Sequence, residues 1–151
     1  MTMFFSGRRS ASLLAPVTAP KVAIIGTEQK MSTLTGFSAL THIPLERVTD
    51  KISRRMMAGE QGMVVWWQMK AGAHAGAHSH PHEQLVWMLK GRMELRIGEE
   101  KRAMGPGDVA VIPGGVNHEA WFPEDTEVVD IFAPPREDFL SGETPAYMKT
   151  G

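Results

Sequence analysis

The sequence predicts an all-β protein of one domain, and three observations lead to this prediction. From Ile43 onward the apolar residues form short runs, without the long 3.6-residue spacing of a helix. Turn residues, drawn from 15 Gly and 10 Pro, separate these runs, at intervals of about 8–12 residues. This pattern is typical of a sandwich or barrel of short strands. A length of 151 residues favours a single domain.

The expected strands follow one another between turns rich in Gly and Pro. They cover residues 43–48, 52–57, 62–69, 74–80, 84–90, 92–98, 101–104, 109–112, 117–122 and 126–133. A short helix is expected at 136–140, before an extended C-terminal tail at 141–151. The barrel itself is expected to lie within residues 40–140.

Residues 1–30 differ in composition from the rest of the chain. They are rich in Ser, Ala and Pro and have no acidic residue before Glu28. We interpret them as a leader outside the barrel, either flexible or an over-extended start with Met31 as the initiator. A transit-like presequence and a short extra strand near 22–25 are the alternatives.

Charge and composition narrow the classes of function. The net charge is −1 and there is no long basic run, so we expect neither nucleic acid nor a membrane surface as a partner. The chain has no cysteine, which excludes disulfides and thiolate metal sites. It has no apolar stretch of the roughly 18–20 residues that span a membrane. We expect a cytoplasmic protein with a small-molecule partner.

Three histidines and a glutamine suggest a metal site. His78 and His80 are two residues apart, so on one strand both point the same way, roughly 6.6 Å apart. Gln84 adds an amide oxygen four residues further on, and His118 adds a third imidazole. These neutral N and O donors suit one divalent transition metal ion, namely nickel, zinc, manganese or iron. His74 and His82 are expected to be outside the ligand set, and His42 to be structural.

The spacing of these residues matches two known motifs. Glycines bracket the first histidine cluster, and a second Gly/Pro cluster leads to His118; the residues are Gly72, Gly91, Gly107, Pro113 and Gly115. Both clusters resemble the motifs of the cupin family, small β-barrels of the jelly-roll type, over about residues 50–140. Gln84 replaces the usual Glu of the first motif, and Phe122 replaces an Asn that often closes the second.

The C-terminal stretch 130–140 resembles the KdgF-type cupins of pectin and alginate degradation. Those proteins convert a cyclic 4,5-unsaturated uronate to its linear keto form. The resemblance implies functional roles for Asp130 and Arg136, and a metal ion held by three His and one Gln.

The chemistry of these residue types agrees with such a substrate. A guanidinium binds a carboxylate bidentately, so Arg136, alone or with Arg54 or Arg55, is the candidate for holding a carboxylated substrate. Asp130 shares strand parity with Phe132, and a carboxyl inside the barrel would have a raised pKa suited to acid–base catalysis. The alternative is that Asp130 and Arg136 form a structural ion pair.

Two other functions remain open from the sequence. One is an Fe(II)-dependent dioxygenase, since open positions on a histidine-rich iron site bind O₂. The other is a non-catalytic module that binds a small molecule, because a fold of this kind hosts many functions.

The expected position of Trp87 indicates where a second subunit would bind. Alternation from Gln84 places Val86 and Met88 inside the barrel and Trp87 outside, in a candidate dimer interface. Exposed sheet edges of small barrels are commonly covered by a second subunit. We therefore expect a homodimer, with residues 40–57 at or across the interface.

Overall fold

The computed structural model describes residues 34–142 and 144–148 and confirms the all-β prediction. Within these ranges the strands are β1 (Glu46–Arg47), β2 (Ile52–Ala58), β3 (Met63–Met69), β4 (Ala73–His78), β5 (Glu83–Lys90), β6 (Met93–Ile97), β7 (Glu100–Met104), β8 (Val109–Ile112), β9 (His118–Phe122) and β10 (Thr126–Ala133). Helix α1 (Glu137–Leu140) follows, and two 3-10 turns are formed by Leu40–His42 and Ala146–Met148. The predicted leader at 1–30 lies outside the described residues.

Two antiparallel sheets face each other and form the jelly-roll barrel. One has the strand order β1-β2-β3-β10-β5-β8, and the other has the order β4-β9-β6-β7. Buried and more exposed residues alternate along β2, β3 and β5, because successive side chains point to opposite faces. The inward residues of both sheets, among them Trp67, Met88 and Phe122, form one apolar core.

Three predicted elements differ from the structure by more than one residue at an end. The strand expected at 43–48 is reduced to β1, since Pro44 has no N–H to donate to a ladder. The strand expected at 74–80 ends at His78, after an irregularity in its pairing with β9, and Pro81 further restricts the backbone before it. The tail is not extended throughout, because residues 146–148 form a 3-10 turn in which Met148 is buried.

The outer face of the larger sheet is unusually apolar. Val86 and Met88 point inward and Trp87 points outward with half of its surface exposed, as the alternation predicted. Exposed apolar side chains surround Trp87 on β5 and β8; they are Leu85, Leu89, Val109 and Val111. No helix among the described residues is long and apolar enough to cross a membrane.

Candidate metal centre

Three histidines from two strands and a loop meet inside the barrel. His78 ends β4, His80 follows in the next loop, and His118 begins β9. The pairing of β4 with β9 sets His78 opposite His118. The loop is tied to the turn after β8, where the Gly115 N–H donates to the His80 carbonyl at 2.7 Å. Paired strands and a fixed loop therefore bring the three predicted imidazoles together.

Backbone carbonyls determine how each imidazole is oriented. Every Nδ1 lies 2.7–3.0 Å from a carbonyl oxygen two residues away in the chain. The acceptors are Gly76 for His78, His82 for His80, and Val116 for His118. A carbonyl only accepts, so Nδ1 carries the proton and Nε2 keeps its lone pair. This arrangement is the one that orients metal-ligating histidines.

The donor set fits a metal ion. Taking one ring nitrogen from each of His78, His80 and His118, the three atoms lie within 4.8 Å of one another. The His118 Nε2 is buried and has no hydrogen-bond partner among the described residues. Burial lowers the pKa of His78 to about 3 and that of His80 to about 4, and it also lowers the pKa of His118. The imidazoles are thus neutral at pH 7, as metal coordination requires.

Gln84 lies beside this cluster, on β5. Its Oε1 is 3.2 Å from the His80 Nε2, and its side chain is near enough to Asp130 to act on the pKa of that carboxyl. The Gln84 amide oxygen thus faces the His80 Nε2, and the proton of that imidazole is on Nδ1. Two acceptors, this oxygen and the His80 Nε2, then face each other with no proton between them. A cation between them would satisfy both, which supports Gln84 as the fourth donor.

Asp130 projects from β10 into the same cavity, as its strand parity predicted. Its Oδ2 accepts a hydrogen bond of 2.7 Å from the Trp67 Nε1. Burial raises the pKa of Asp130 to about 6, although the amide of Gln84, the hydrogen bond from Trp67 and the charge of Arg136 act in the opposite direction. At neutral pH this carboxyl is close enough to its pKa to exchange protons readily.

Arg136 also lines the cavity and is almost fully buried, but its ion pair is not with Asp130. Its Nε and Nη2 donate to the carboxylate of Asp138, and its Nη1 donates to the Tyr147 hydroxyl at 3.1 Å. The guanidinium carbon lies 4.0 Å from the centre of the Phe139 ring. The alternative of a structural Asp130–Arg136 ion pair is therefore wrong.

Two arginines considered as carboxylate ligands have other partners. The guanidinium of Arg54 is buried and bound bidentately by Glu46 at 2.8 and 3.0 Å. Arg55 donates to the carbonyl of Ile43. Neither residue lines the cavity, so of the three candidates Arg136 alone is placed to receive a substrate there.

The remaining histidines lie apart from the cluster. His74 points to the outer face of the smaller sheet, where its Nε2 is 2.8 Å from Glu119 and its ring stacks on Trp121. The His82 ring is 6.0 Å from that of His80, at the rim of the site. His42 is exposed in the first 3-10 turn. His74 and His82 lie outside the three-histidine cluster, and that neither is a ligand stays a prediction.

Sequence reasoning missed three residues of the site. Trp67 binds Asp130, Asp138 binds Arg136, and the ring of Tyr147 stacks on His78 with 3.4 Å between centroids. Burial raises the pKa of Tyr147 to about 12, so this phenol stays protonated. Tyr147 is the single tyrosine of the chain, and this was the one available signal.

These side chains surround one cavity with an open mouth. Its volume is about 50 Å³. Most of its wall is apolar; the polar residues that line it are His78, Gln84, His118, Asp130, Arg136 and Tyr147.

The fold and the three-imidazole cluster define a jelly-roll protein with a candidate metal centre inside the barrel. Residues 65–132 match the family model described as "Cupin domain". The pectin degradation protein KdgF of Dickeya dadantii (strain 3937) is 31% identical over 100 residues, which cover 64% of this chain and 91% of that protein. The chain therefore belongs to the cupin family.

Solved structures agree with this assignment. KdgF from Halomonas sp. superposes with a TM-score of 0.66 and 29% identity, covering 70% of this chain and 99% of that one. An RmlC-like cupin from Shewanella frigidimarina NCIMB 400 gives a TM-score of 0.69 and 26% identity, covering 72% and 99%. The matched region covers nearly the whole length of both KdgF proteins.

Proposed function

We propose that this protein is a metal-dependent enzyme that opens a cyclic 4,5-unsaturated uronate to its linear keto form. The main support is the position of Asp130, which lines the same cavity as Gln84 and the imidazoles of His78 and His118 and whose pKa is raised by burial to about 6. Two similar proteins are named KdgF, and one of them is described as a pectin degradation protein.

Arg136 is proposed to bind the carboxylate of the substrate. Among the described arginines it is the one that lines the cavity, and burial strengthens a charge-assisted hydrogen bond by removing competition from water. A sugar with its carboxylate on Arg136 would lie between this residue and the imidazoles, with Asp130 on the same cavity wall.

The reaction needs one proton removed and one returned. A base takes the proton of the anomeric hydroxyl as the bond between C1 and the ring oxygen breaks, which leaves an aldehyde at C1 and an enolate at C5. Protonation of C4 then yields the ketone at C5, with no net gain or loss of atoms. We assign both transfers to Asp130, whose pKa allows it to accept and release a proton near neutrality.

The predicted ligands of the metal are His78, His80, Gln84 and His118. A divalent cation held by four neutral donors keeps its full charge and would supply Lewis acidity to a substrate oxygen. Nickel, zinc, manganese and iron remain the candidates.

We predict that turnover depends on the carboxyl of Asp130. Purified wild-type protein, with its metal content measured by elemental analysis, should convert an unsaturated uronate under argon, followed by the loss of ultraviolet absorbance. Asp130→Asn should lower turnover at least about 100-fold, since a positioned acid–base group contributes 10²–10⁴-fold, and it should retain the metal.

The matched control is Asp125→Asn, which removes a carboxyl from the exposed turn between β9 and β10 and should leave turnover unchanged. Full activity of Asp130→Asn would remove this residue from the mechanism. Oxygen uptake with substrate, and no turnover under argon, would instead indicate the dioxygenase.

A further inference from the structure

The C-terminal segment supplies one wall of the cavity. The turn Ala146–Met148, which follows helix α1, packs against β4, which carries His78. Met148 is buried in the core. The Tyr147 ring lies flat on the imidazole of His78, with 6° between the two planes. Tyr147 is thereby held between the candidate metal centre and Arg136.

The hydrogen bonds of Arg136 show which of its edges remains for a ligand. Asp138 occupies Nε and Nη2, the side-on pair of donors, and the Tyr147 oxygen accepts from Nη1. A guanidinium has five N–H donors. The two without a partner among the described residues are therefore on Nη1 and Nη2. A carboxylate that binds Arg136 must use these terminal nitrogens, one of which already carries the Tyr147 hydroxyl.

We infer that Tyr147 is a substrate-positioning residue that selects for the carboxylate of the sugar. This inference rests on the proposed function. The phenol ring stacks on the His78 imidazole, and its hydroxyl lies at the edge of Arg136 where the carboxylate must bind. Loss of the hydroxyl should weaken the binding of a carboxylated sugar and spare an otherwise similar neutral sugar.

The test compares wild type, Tyr147→Phe and Tyr147→Ala by calorimetric titration with D-galacturonate and with D-galactose. Tyr147→Phe keeps the ring, so it should bind galacturonate roughly three- to tenfold more weakly, the range for one hydrogen bond, and galactose as wild type does. Tyr147→Ala also removes the wall and should weaken both. A purely structural role would change the two affinities in parallel in Tyr147→Phe.

Kinetics provide the second measurement. With an unsaturated uronate, Tyr147→Phe should raise KM by the same factor and leave kcat within about twofold, because the lost contact is shared by ground state and transition state. The control is Glu137→Gln, an exposed carboxyl next to Arg136 in sequence that does not line the cavity; it should behave as wild type.

The results distinguish a failure of the Tyr147 role from a failure of the proposed function. If wild type turns over the uronate while Tyr147→Phe keeps the wild-type KM and galacturonate affinity, the role of Tyr147 is overturned and the proposed function stands. If wild type neither converts the uronate nor prefers galacturonate to galactose, the proposed function and the role of Tyr147 both fall.

Discussion

At the residue scale, each of the three site histidines is oriented by its own chain neighbourhood. In each case the acceptor of the Nδ1 proton is two residues away, so the local backbone directs Nε2 toward the centre. These local hydrogen bonds orient each ring, whereas the distances between the imidazoles depend on the pairing of β4 with β9 and on the His80 loop. The buried His118 Nε2 has no hydrogen-bond partner among the described residues, and a bound cation would satisfy it.

Asp138 provides a prediction about stability and pH. Burial acts to raise its pKa, but the hydrogen bonds and charge of Arg136 outweigh burial and lower it below the usual 3.8. A lowered carboxyl pKa stabilises the folded state above the unfolded value, and this stabilisation is lost as pH falls through the folded pKa. Asp138→Asn should therefore lower the free energy of unfolding by about 0.5–1 kcal/mol at pH 7, a modest value because Asp138 is partly exposed.

Urea unfolding at pH 7, 5 and 3 checks this expectation. The difference between wild type and Asp138→Asn should persist at pH 5 and shrink at pH 3. Glu137→Gln, next to it on the exposed side of helix α1, should differ little from wild type at any of these pH values. A difference that grows as the solution becomes more acidic would contradict the assigned direction of the pKa shift.

At the element scale, the His80 loop depends on the turn between β8 and β9. Gly115 donates to the His80 carbonyl, and the neighbouring Gly114 packs against the backbone of Pro81. A Cβ added at Gly114 would overlap the Pro81 carbonyl oxygen, which is backbone and cannot rotate away. The contact between this loop and this turn is thus tight enough to position one of the predicted metal ligands.

Gly114→Ala should therefore affect stability and metal binding together. Overpacking of this size costs about 1–3 kcal/mol, and displacement of His80 should lower the metal content in elemental analysis. Gly105→Ala is the matched control, since a Cβ there meets no atom within 4 Å, and it should stay within about 0.5 kcal/mol of wild type. If Gly114→Ala keeps the stability and metal content of wild type, the loop accommodates the added methyl group and this contact does not position His80.

At the scale of the whole molecule, the apolar outer face of the larger sheet supports the proposal of a homodimer. Strand register continues the face across β10 and β3, where Val129 and Trp66 lie in line with Trp87 and Val109. Exposed apolar patches of this kind mark interaction sites in soluble proteins. A second copy of the chain is the partner that the proposal assigns to this face, and the role predicted for residues 40–57 stays a prediction.

Trp87→Glu tests this assembly. Light scattering coupled to size-exclusion chromatography should give a dimer for wild type and a monomer for Trp87→Glu, because burying an unpaired carboxylate in an apolar interface is costly. Ala103→Glu places the same charge on an exposed position of the smaller sheet and should remain dimeric. A monomeric wild type would refute the homodimer.

Much of this architecture was predictable because it depends on local patterns. The alternation that set Val86 inside and Trp87 outside is a property of any strand with one buried face, and the structure confirms it. The boundaries of β1 and β4 were less predictable, since Pro44 and Pro81 act on the pairing of neighbouring residues. Arg54 misled the interpretation, because its partner Glu46 lies on the adjacent strand and neutralises it.

By itself, the sequence determined the β architecture, the three histidines that converge and the strand position from which Asp130 points inward. These features follow from the two-residue period of a strand and from turn residues at regular intervals. Only the tertiary structure decided that Arg136 pairs with Asp138 rather than Asp130, and that Tyr147 covers His78. Such contacts depend on where the C-terminal segment packs against the finished barrel, and no local periodicity encodes that position.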